Sequence, residues 1–269
     1  MLPAVIPPSV QAELLSRLLH RDLSDDQHQT NIHLHYNVSY PASSNPSQHS
    51  HEATATAGTN STISEHSSFF ADDLDRLVLP KDPSVHSAIS VRSLLNRKLR
   101  WITLGGQYNW TDKRYPTSPP PPFPQDIAAL LRGIFPQTEP EAAIVNVYSP
   151  GDTLNVHRDV SEECDTGLIS ISFGCEALFM IGYADSSDFA VLKLRSGDAV
   201  YMSGASRFSW HAVPKIIPST CPEWLQQWPG ANDDMDPATA PKSDIYQQWK
   251  GWMTGKRVNL NVRQMKPKG

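Results

Sequence analysis

The sequence has few cysteines, no long apolar run and no excess of positive charge. Its three cysteines, Cys164, Cys175 and Cys221, are odd in number and lack CxxC spacing. This excludes a disulfide framework and a zinc ribbon, and it is typical of a reducing compartment. No stretch approaches the ~20 apolar residues that span a bilayer, and the first residues lack the basic and long apolar parts of a secretory signal. We therefore expect an intracellular protein, in the nucleus, cytoplasm or mitochondrion, with no membrane partner.

The charge balance restricts how the protein can meet a polyanion. The 269 residues include 23 Lys and Arg against 28 Asp and Glu, a net charge of −5 at pH 7. Nucleic-acid-binding domains are often basic overall, so any such binding here must use a local patch. The length is sufficient for one sizeable core, or for one core with a decorated N-terminal arm.

The first hundred residues mix helical patterns with irregular stretches. Apolar spacing predicts helices over 9–23 and 84–98, and a third helix over 125–134. Residues 40–67 are rich in Ser, Thr, Asn, Ala and His and predict a disordered loop. The prolines of 116–124, PTSPPPPFP, exclude helix and central strand there. We predict a helical and irregular N-terminal arm over 1–98.

From residue 99 onward the pattern changes to strands. Leu99–Leu104 is strand-like, and short apolar or alternating runs recur from residue 142 to the end, separated by turn signals at 149–152, 183–188 and 196–198. Many short strands at close spacing predict an antiparallel sandwich or barrel. The expected fold class is mixed α/β but β-rich, with a catalytic domain over 99–269.

A His-x-Asp triplet lies in this β-rich part. His157 and Asp159 are two residues apart on an extended chain and point to the same side. With His211, which lies in a later strand-like run, they would form a facial triad that leaves positions open on iron. The alternative is chance, because short His-x-Asp triplets are common and a histidine in a strand is more often structural. The triad alone leaves the two readings about equal.

The last strand carries a row of polar side chains. Arg257, Asn259, Asn261 and Arg263 alternate along it and face one way. Burying such a row costs several kcal/mol unless the groups are partnered. A dicarboxylate would satisfy it, since the arginine fork binds carboxylates bidentately. The alternative is an exposed strand with a basic outer face.

Together these features resemble the AlkB-type nucleic-acid dioxygenases over residues 99–266. The motifs occur in the order of that family: Asn146-x-Tyr148, the SPGD turn, His157-x-Asp159, Ser206-Arg207 ahead of His211, and Arg257-x-Asn259 with Arg263. The segments LRWITLGGQYNWTDKRYP and RVNLNVRQM are most similar to the eukaryotic AlkB homologue 1 branch. The bacterial enzyme has an acidic residue, which contacts the damaged base, where this chain has Ser161.

The resemblance implies a double-stranded β-helix, or jelly-roll, with flanking helices and a nucleotide-recognition lid. It assigns Fe(II) to His157, Asp159 and His211, with O2 and 2-oxoglutarate as cosubstrates. It further implies the following roles: Arg257 at the distal carboxylate of 2-oxoglutarate, Arg263 near its other end, Asn146, Tyr148 and Asn259 as hydrogen-bonding partners of the cosubstrate, and Arg207 orienting Asp159. In the lid it implies Trp101 and Tyr108 beside the flipped base, Lys113 and Arg114 at phosphates, and Ser161 at the substrate.

The implied activity is oxidative demethylation of N6-methyladenine or 1-methyladenine in DNA or RNA, in nucleic-acid repair or RNA modification. Alternatives are a protein hydroxylase or demethylase on the same oxygenase core, and an abasic-site DNA lyase that acts through a lysine. A binding module with an inactive site is a further class, against which the intact triad and both arginines argue.

Overall fold

The computed structural model of the protein describes residues 1–41, 68–183, 188–230 and 244–267. The loop predicted over 40–67 lies outside these residues from position 42 onward. None of the helices in the described ranges combines the length and the apolar character that crossing a membrane requires.

Antiparallel strands dominate the described ranges. In chain order they are β1 (Tyr36–Asn37), β2 (Leu77–Pro80), β3 (Ile89–Ser90), β4 (Trp101–Gly105), β5 (Ala142–Tyr148), β6 (Leu154–His157), β7 (Leu168–Gly174), β8 (Ala177–Gly182), β9 (Phe189–Leu194), β10 (Ala199–Met202), β11 (Trp210–Ile216) and β12 (Arg257–Arg263). The major sheet has the order β10-β7-β12-β5-β4, and the minor sheet has the order β6-β11-β8-β9. The β-rich jelly-roll expected from the sequence is confirmed.

The central strand of the major sheet is β12. It pairs along its length with β5 on one side and with β7 on the other, and every residue from Arg257 to Arg263 is buried. Its valine and leucine side chains join the hydrophobic core, so the alternating arginines and asparagines occupy the opposite face. The alternative of an exposed basic strand is therefore wrong.

Short helices precede and connect the strands. They are α1 (Pro8–Ser16), continued by a π turn at Arg17–Arg21 and a 3-10 turn at Asp22–Ser24, α2 (Val91–Ser93), continued by a π turn at Leu94–Lys98, α3 (Gln125–Ile134) and α4 (Glu223–Gln226). Further 3-10 turns are Asn31–Leu34, Phe69–Ala71, Gly204–Ser206, Asp244–Trp249 and Trp252–Gly255.

Helix α3 has the predicted bounds, but the helix predicted over 84–98 begins only at Val91. The hydroxyl of Ser90 accepts a hydrogen bond from the Ser93 amide at 3.2 Å, which caps the helix and ends the extended segment before it. Residues 89–90 instead form β3, part of a small sheet with the order β1-β2-β3. The sequence did not predict this sheet, because strands of two to four residues are too short to show a period.

The described part of the first 98 residues packs on the β-rich core. Leu15, Leu18 and Leu19 belong to the same hydrophobic core as the strands. Leu2 forms a β-bridge with Ala199 in the major sheet. These contacts make the N-terminal segment part of one core, while the boundary at residue 98 stays a prediction.

Candidate metal and cosubstrate site

Three potential metal ligands meet between the sheets. His157 ends β6 and lies directly opposite His211 of β11 in the antiparallel register, so their ring centroids are 4.3 Å apart. Asp159 follows in the next loop, with carboxylate oxygens 4.0 Å from Nε2 of His157 and 3.8 Å from Nε2 of His211. One ligand atom from each residue lies within 4.8 Å of the other two.

Both histidines present the nitrogen that a metal needs. His157 Nδ1 lies 2.8 Å from the carbonyl oxygen of Asn155, and His211 Nδ1 lies 3.2 Å from that of Ser209. A carbonyl can only accept, so Nδ1 carries the proton and the lone pair is left on Nε2. Burial lowers the pKa of His211, which keeps its imidazole neutral and available as a ligand.

Asp159 is held as an anion. Burial alone would raise its pKa, but neighbouring positive charge, that of Arg263 foremost, outweighs burial and holds the pKa at about 2. Arg263 Nη2 lies 3.1 Å from Oδ1, and Asn261 Nδ2 donates to Oδ2 at 3.3 Å. Two imidazoles and one carboxylate on one side of the centre form the donor set of non-haem iron(II) oxygenases, so these residues fit Fe(II).

Arg257 is a buried cation with unused donors. It is 1% exposed, and its Nη2 donates to the Ser172 hydroxyl at 3.0 Å. Its Nε and Nη1 have no hydrogen-bond partner among the described residues, and burial lowers its pKa. An uncompensated buried charge is strongly unfavourable, so the site fits an external carboxylate such as that of 2-oxoglutarate.

Arg263, at the other end of β12, is already paired. Besides Asp159, its Nε lies 3.2 Å from Glu162 Oε1, although the N–H is not aligned for a hydrogen bond. Burial opposes its charge, but Asp159, Tyr115 and Glu162 together raise its pKa. This arginine therefore holds a metal ligand in place, at the end of the strand where the sequence predicted the metal-chelating end of 2-oxoglutarate.

The other predicted cosubstrate partners lie on β5 and β12. Tyr148 is opposite Arg257 and Asn146 is opposite Asn259, and the Arg257 guanidinium lies 5.2 Å from the centre of the Tyr148 ring. Asn259 Nδ2 donates to the Ser170 hydroxyl and to the Ile171 carbonyl, each at 2.9 Å. These two contacts use both amide hydrogens and connect β12 to β7, while the role of Asn259 at the cosubstrate stays a prediction.

Arg207 contacts Asp159 differently from the prediction. Its Nη1 donates to the backbone carbonyl of Asp159 at 2.8 Å, and its Nη2 donates to Glu162 Oε2 at 2.9 Å. The carboxylate of Asp159 is paired by Arg263 instead. The sequence reasoning missed Glu162, which lies between both buried arginines. Its signal was charge balance, since two buried arginines need more than one carboxylate.

Aromatic side chains cluster beside the metal loop. Trp101 contacts Trp110 with ring centroids 5.1 Å apart, and Tyr108 contacts Trp110 at 4.9 Å and Tyr115 at 5.3 Å. The Ser161 hydroxyl lies 3.5 Å from that of Tyr108, which joins the cluster to the residues that follow Asp159. Trp101 is thus part of this aromatic lid rather than of the core.

The lid also contains residues that the sequence reasoning did not select. Trp110 is 39% exposed, and the Tyr115 hydroxyl donates to Glu162 Oε1 at 3.4 Å. Both belong to the tyrosine- and tryptophan-rich stretch that contains Tyr108, which was the available signal. Lys113 and Arg114 are exposed at the turn of the lid, where they can reach a phosphate.

Comparisons with known proteins agree with this geometry. The profile of the 2OG-Fe(II) oxygenase superfamily matches residues 78–263. The N6-methyladenosine RNA demethylase ALKB1 of Pyricularia oryzae is 45% identical over 279 residues, covering 98% of this chain and 73% of that protein. The N6-methyladenosine RNA demethylase ALKBH of Cryphonectria parasitica is 44% identical, covering 87% and 99%. The tRNA demethylase abh1 of Schizosaccharomyces pombe is 44% identical, covering 66% and 57%.

Proposed function

Because this chain belongs to the 2OG-Fe(II) oxygenase superfamily, with the AlkB-type motifs in place, we propose that it oxidatively removes N-methyl groups from adenine in nucleic acid. The observation that carries the proposal is the aromatic lid, which Ser161 and Tyr108 join to the metal loop. Two relatives that share 44–45% of their residues are named N6-methyladenosine RNA demethylases. Methylated adenine in RNA is therefore the first substrate to test.

The protein side chains prepare the site for its cofactors. Bound iron, with O2 and 2-oxoglutarate, would supply the oxidation that releases the methyl group as formaldehyde. Arg257 would neutralise the distal carboxylate of the cosubstrate, since it is buried without a carboxylate partner and two of its donors are unused among the described residues. Tyr148 is held neutral because burial raises its pKa, so its hydroxyl can donate to the same carboxylate.

The lid suits a base that has left its stack. An enzyme that reacts with a base must take it out of the stack and hold it between flat side chains. Tyr108 and Trp110 offer such faces, and stacking on an aromatic contributes ~1–3 kcal/mol per base. The cations at 113 and 114 lie at the turn of the lid, where they would contact the flanking phosphates.

The charge at the metal loop favours a neutral base. Ser161 is uncharged where the bacterial enzyme has an acidic residue, and the carboxylate of Glu162 is occupied by Arg207 and lies beside Arg263. A cationic base such as 1-methyladenine would find no free carboxylate at these two positions. This supports N6-methyladenine, which is neutral, as the preferred form.

The test is incubation of the protein with Fe(II), ascorbate, 2-oxoglutarate and single-stranded RNA or DNA that contains N6-methyladenine or 1-methyladenine. We expect nucleoside mass spectrometry to show N6-methyladenine lost in step with succinate formation, and no loss with His211→Ala. Turnover of 2-oxoglutarate without loss of any methylated base would show that the substrate class is wrong. Abasic-site cleavage, the alternative lyase activity, would persist in His211→Ala.

Measurement of RNA binding distinguishes a nucleic-acid demethylase from a protein hydroxylase. We expect Tyr108→Ala and Lys113→Ala to weaken a gel shift of methylated RNA, whereas Lys81→Ala, at an exposed lysine elsewhere, leaves it unchanged. Equal behaviour of all three variants would favour a peptide substrate.

A further inference from the structure

The minor sheet has a second face that points away from the metal. Residues directly opposite each other in an antiparallel pair share a face, and the register of β11, β8 and β9 sets three rows. These rows are Trp210, Gly182 and Phe189, then Ala212, Met180 and Val191, then Lys215, Leu178 and Lys193. We refer to these nine residues as the outer face.

Burial shows which way the outer face points. His211 and Phe179 alternate with its residues along β11 and β8, and they are 5% exposed and packed inward. On the outer face itself, Phe189 is 62% exposed and Val191 is 49% exposed. Within the described residues, this part of the sheet is therefore open to solvent.

The first row of the outer face adjoins the metal ligands. Trp210 directly precedes His211, and the guanidinium of Arg158, between His157 and Asp159, lies 4.8 Å from the centre of the Trp210 ring. An arginine over an indole is a cation–π pair that leaves the other face of the guanidinium for a second flat group. A strand that leaves the metal site at this end of the sheet meets this pair first.

Cations lie at the far end of the same face. Lys193 and Lys215 occupy the third row. Arg195 is two residues after Lys193, so it continues the same side of the strand. Glu176 lies 3.1 Å from Lys193 and 3.5 Å from Arg195, so one carboxylate is shared by two cations. Among the residues that the structure describes here, the cations Arg158, Lys193, Arg195 and Lys215 outnumber the carboxylates Glu176 and Asp188, on a chain whose net charge is −5.

We propose that the outer face binds a single-stranded segment of the nucleic acid that flanks the methylated base. This rests on the proposed function and extends it beyond the lid. Single strands bind where aromatic faces for bases combine with cations for the backbone. Open four-stranded sheets with exposed aromatics bind two or three bases in this way. The three rows span ~13 Å at ~3.3 Å per residue, a length of that order.

Charge decides between nucleic acid and a protein partner. The apolar middle row would also accept a peptide, but it is bordered by Arg158 and by the lysines of the third row. A nucleic-acid strand that runs past the metal ligands carries phosphates that complement the cations at both ends of this face. A peptide would need acidic residues at both ends to do the same, so a flanking strand is the occupant that we infer.

The test compares RNAs that carry one N6-methyladenine, a 5-mer sized for the lid and a 15-mer that also reaches the outer face. Affinity is measured by fluorescence anisotropy at several salt concentrations. We expect the double variant Lys193→Glu, Lys215→Glu to weaken 15-mer binding about tenfold and to lower the salt slope by about 2, since each lost phosphate contact lowers it by about 1. Binding of the 5-mer should change less than twofold.

Matched controls separate this surface from general charge effects. The double variant Lys81→Glu, Lys250→Glu makes the same change at exposed lysines elsewhere and should bind the 15-mer like the unaltered protein. Phe189→Ser should weaken the 15-mer severalfold without a change in salt slope, because it removes stacking and no charge.

The proposal is overturned if Lys193→Glu, Lys215→Glu leaves 15-mer affinity unchanged, if the control pair weakens it equally, or if the 5-mer loses as much as the 15-mer. Preferential loss of binding to an acidic peptide, with RNA unaffected, also overturns it and assigns the face to a protein. Demethylation of the 5-mer by the unaltered protein tests the proposed function separately, so the two failures are distinguishable.

Discussion

The two ends of β12 carry arginines of opposite status. Each has two guanidinium nitrogens without a hydrogen-bond partner among the described residues. Arg263 nevertheless lies 3.1 Å from a carboxylate oxygen of Asp159 and 3.2 Å from one of Glu162, whereas Arg257 forms no ion pair with any described residue. Both arginines are buried, and they are the first and last residues of the seven-residue strand β12. The unpaired arginine identifies where an external anion belongs, and the paired one identifies a side chain that orients a ligand.

The difference follows from what the neighbouring strands supply. Near Arg257, β7 and β5 offer Ser172 and Tyr148, which are neutral. Near Arg263, the loop after β6 brings two carboxylates, Asp159 and Glu162. A buried arginine that has its carboxylate partners holds those partners in position. A buried arginine without a carboxylate partner favours the binding of an external anion.

The largest expected effect is at the unpaired end. Arg257→Ala should weaken 2-oxoglutarate binding by about 100-fold or more, since removing one member of a buried charge pair costs ~2–5 kcal/mol. Arg257→Lys should recover part of it, as a point charge without the bidentate fork. Calorimetry with Co(II) in place of iron measures the 2-oxoglutarate affinity of both variants. Unchanged affinity in Arg257→Ala would show that Arg257 does not bind the cosubstrate.

The paired end should show a metal effect instead. Arg263→Gln should weaken Co(II) binding by ~10–100-fold, the usual effect of removing a partner of a metal ligand. Arg257→Ala should leave Co(II) affinity within a few-fold of the unaltered protein. If the two variants affect metal and cosubstrate equally, the two arginines do not have separate roles.

A pH titration sharpens the contrast. The pKa of Asp159 falls from its ordinary 3.8 to about 2 on folding, so the ionised form contributes stability that is present above pH ~4 and is lost as the pH falls through 2. By linkage this contribution is ~2 kcal/mol. Arg263→Gln should therefore move the acid-unfolding midpoint of the metal-free protein upward in circular dichroism.

The matched control for that titration is Arg132→Gln. Arg132 forms an exposed pair with Glu139, and such pairs contribute little. The acid-unfolding midpoint of Arg132→Gln should equal that of the unaltered protein. An unchanged midpoint for Arg263→Gln would contradict the role of Arg263 as the partner of Asp159.

The smallest expected effect is that of Tyr148→Phe. The variant keeps the ring beside Arg257 and removes one hydroxyl donor, which contributes ~1 kcal/mol. The dissociation constant of 2-oxoglutarate should rise about fivefold, with Co(II) affinity unchanged. An unaltered dissociation constant would show that the tyrosine contributes only its ring.

The sequence predicted the strands well because their alternation is regular. Runs such as LISISF and RVNLNVR became β7 and β12, and α3 has the predicted bounds. The small sheet β1-β2-β3 was not predictable, because it depends on pairing between short segments that are far apart in sequence, and its strand β3 displaces the start of α2 to Val91. The packing of the N-terminal leucines on the strands has the same origin.

For the site, motif order predicted which residues meet but not how they pair. The spacing of His157 and Asp159 predicted a common side, and the structure adds the opposite register of His211. The sequence did not show that Arg263 pairs with the Asp159 carboxylate while Arg207 contacts the Asp159 backbone, since either arginine could reach Asp159 from its position in sequence. Glu162 and Trp110 were missed because a single sequence does not show burial or ring contacts. The intracellular location stays a prediction.

The carbonyl groups behind His157 and His211 have an evolutionary consequence. Each imidazole is oriented by the peptide two residues earlier in its own chain segment, so no other side chain is needed to select its tautomer. Mutations at neighbouring positions can therefore accumulate without disturbing either ligand, provided the strand persists. The two histidine ligands depend in this way on the backbone alone, whereas Asp159 also needs the side chains of Arg263 and Asn261.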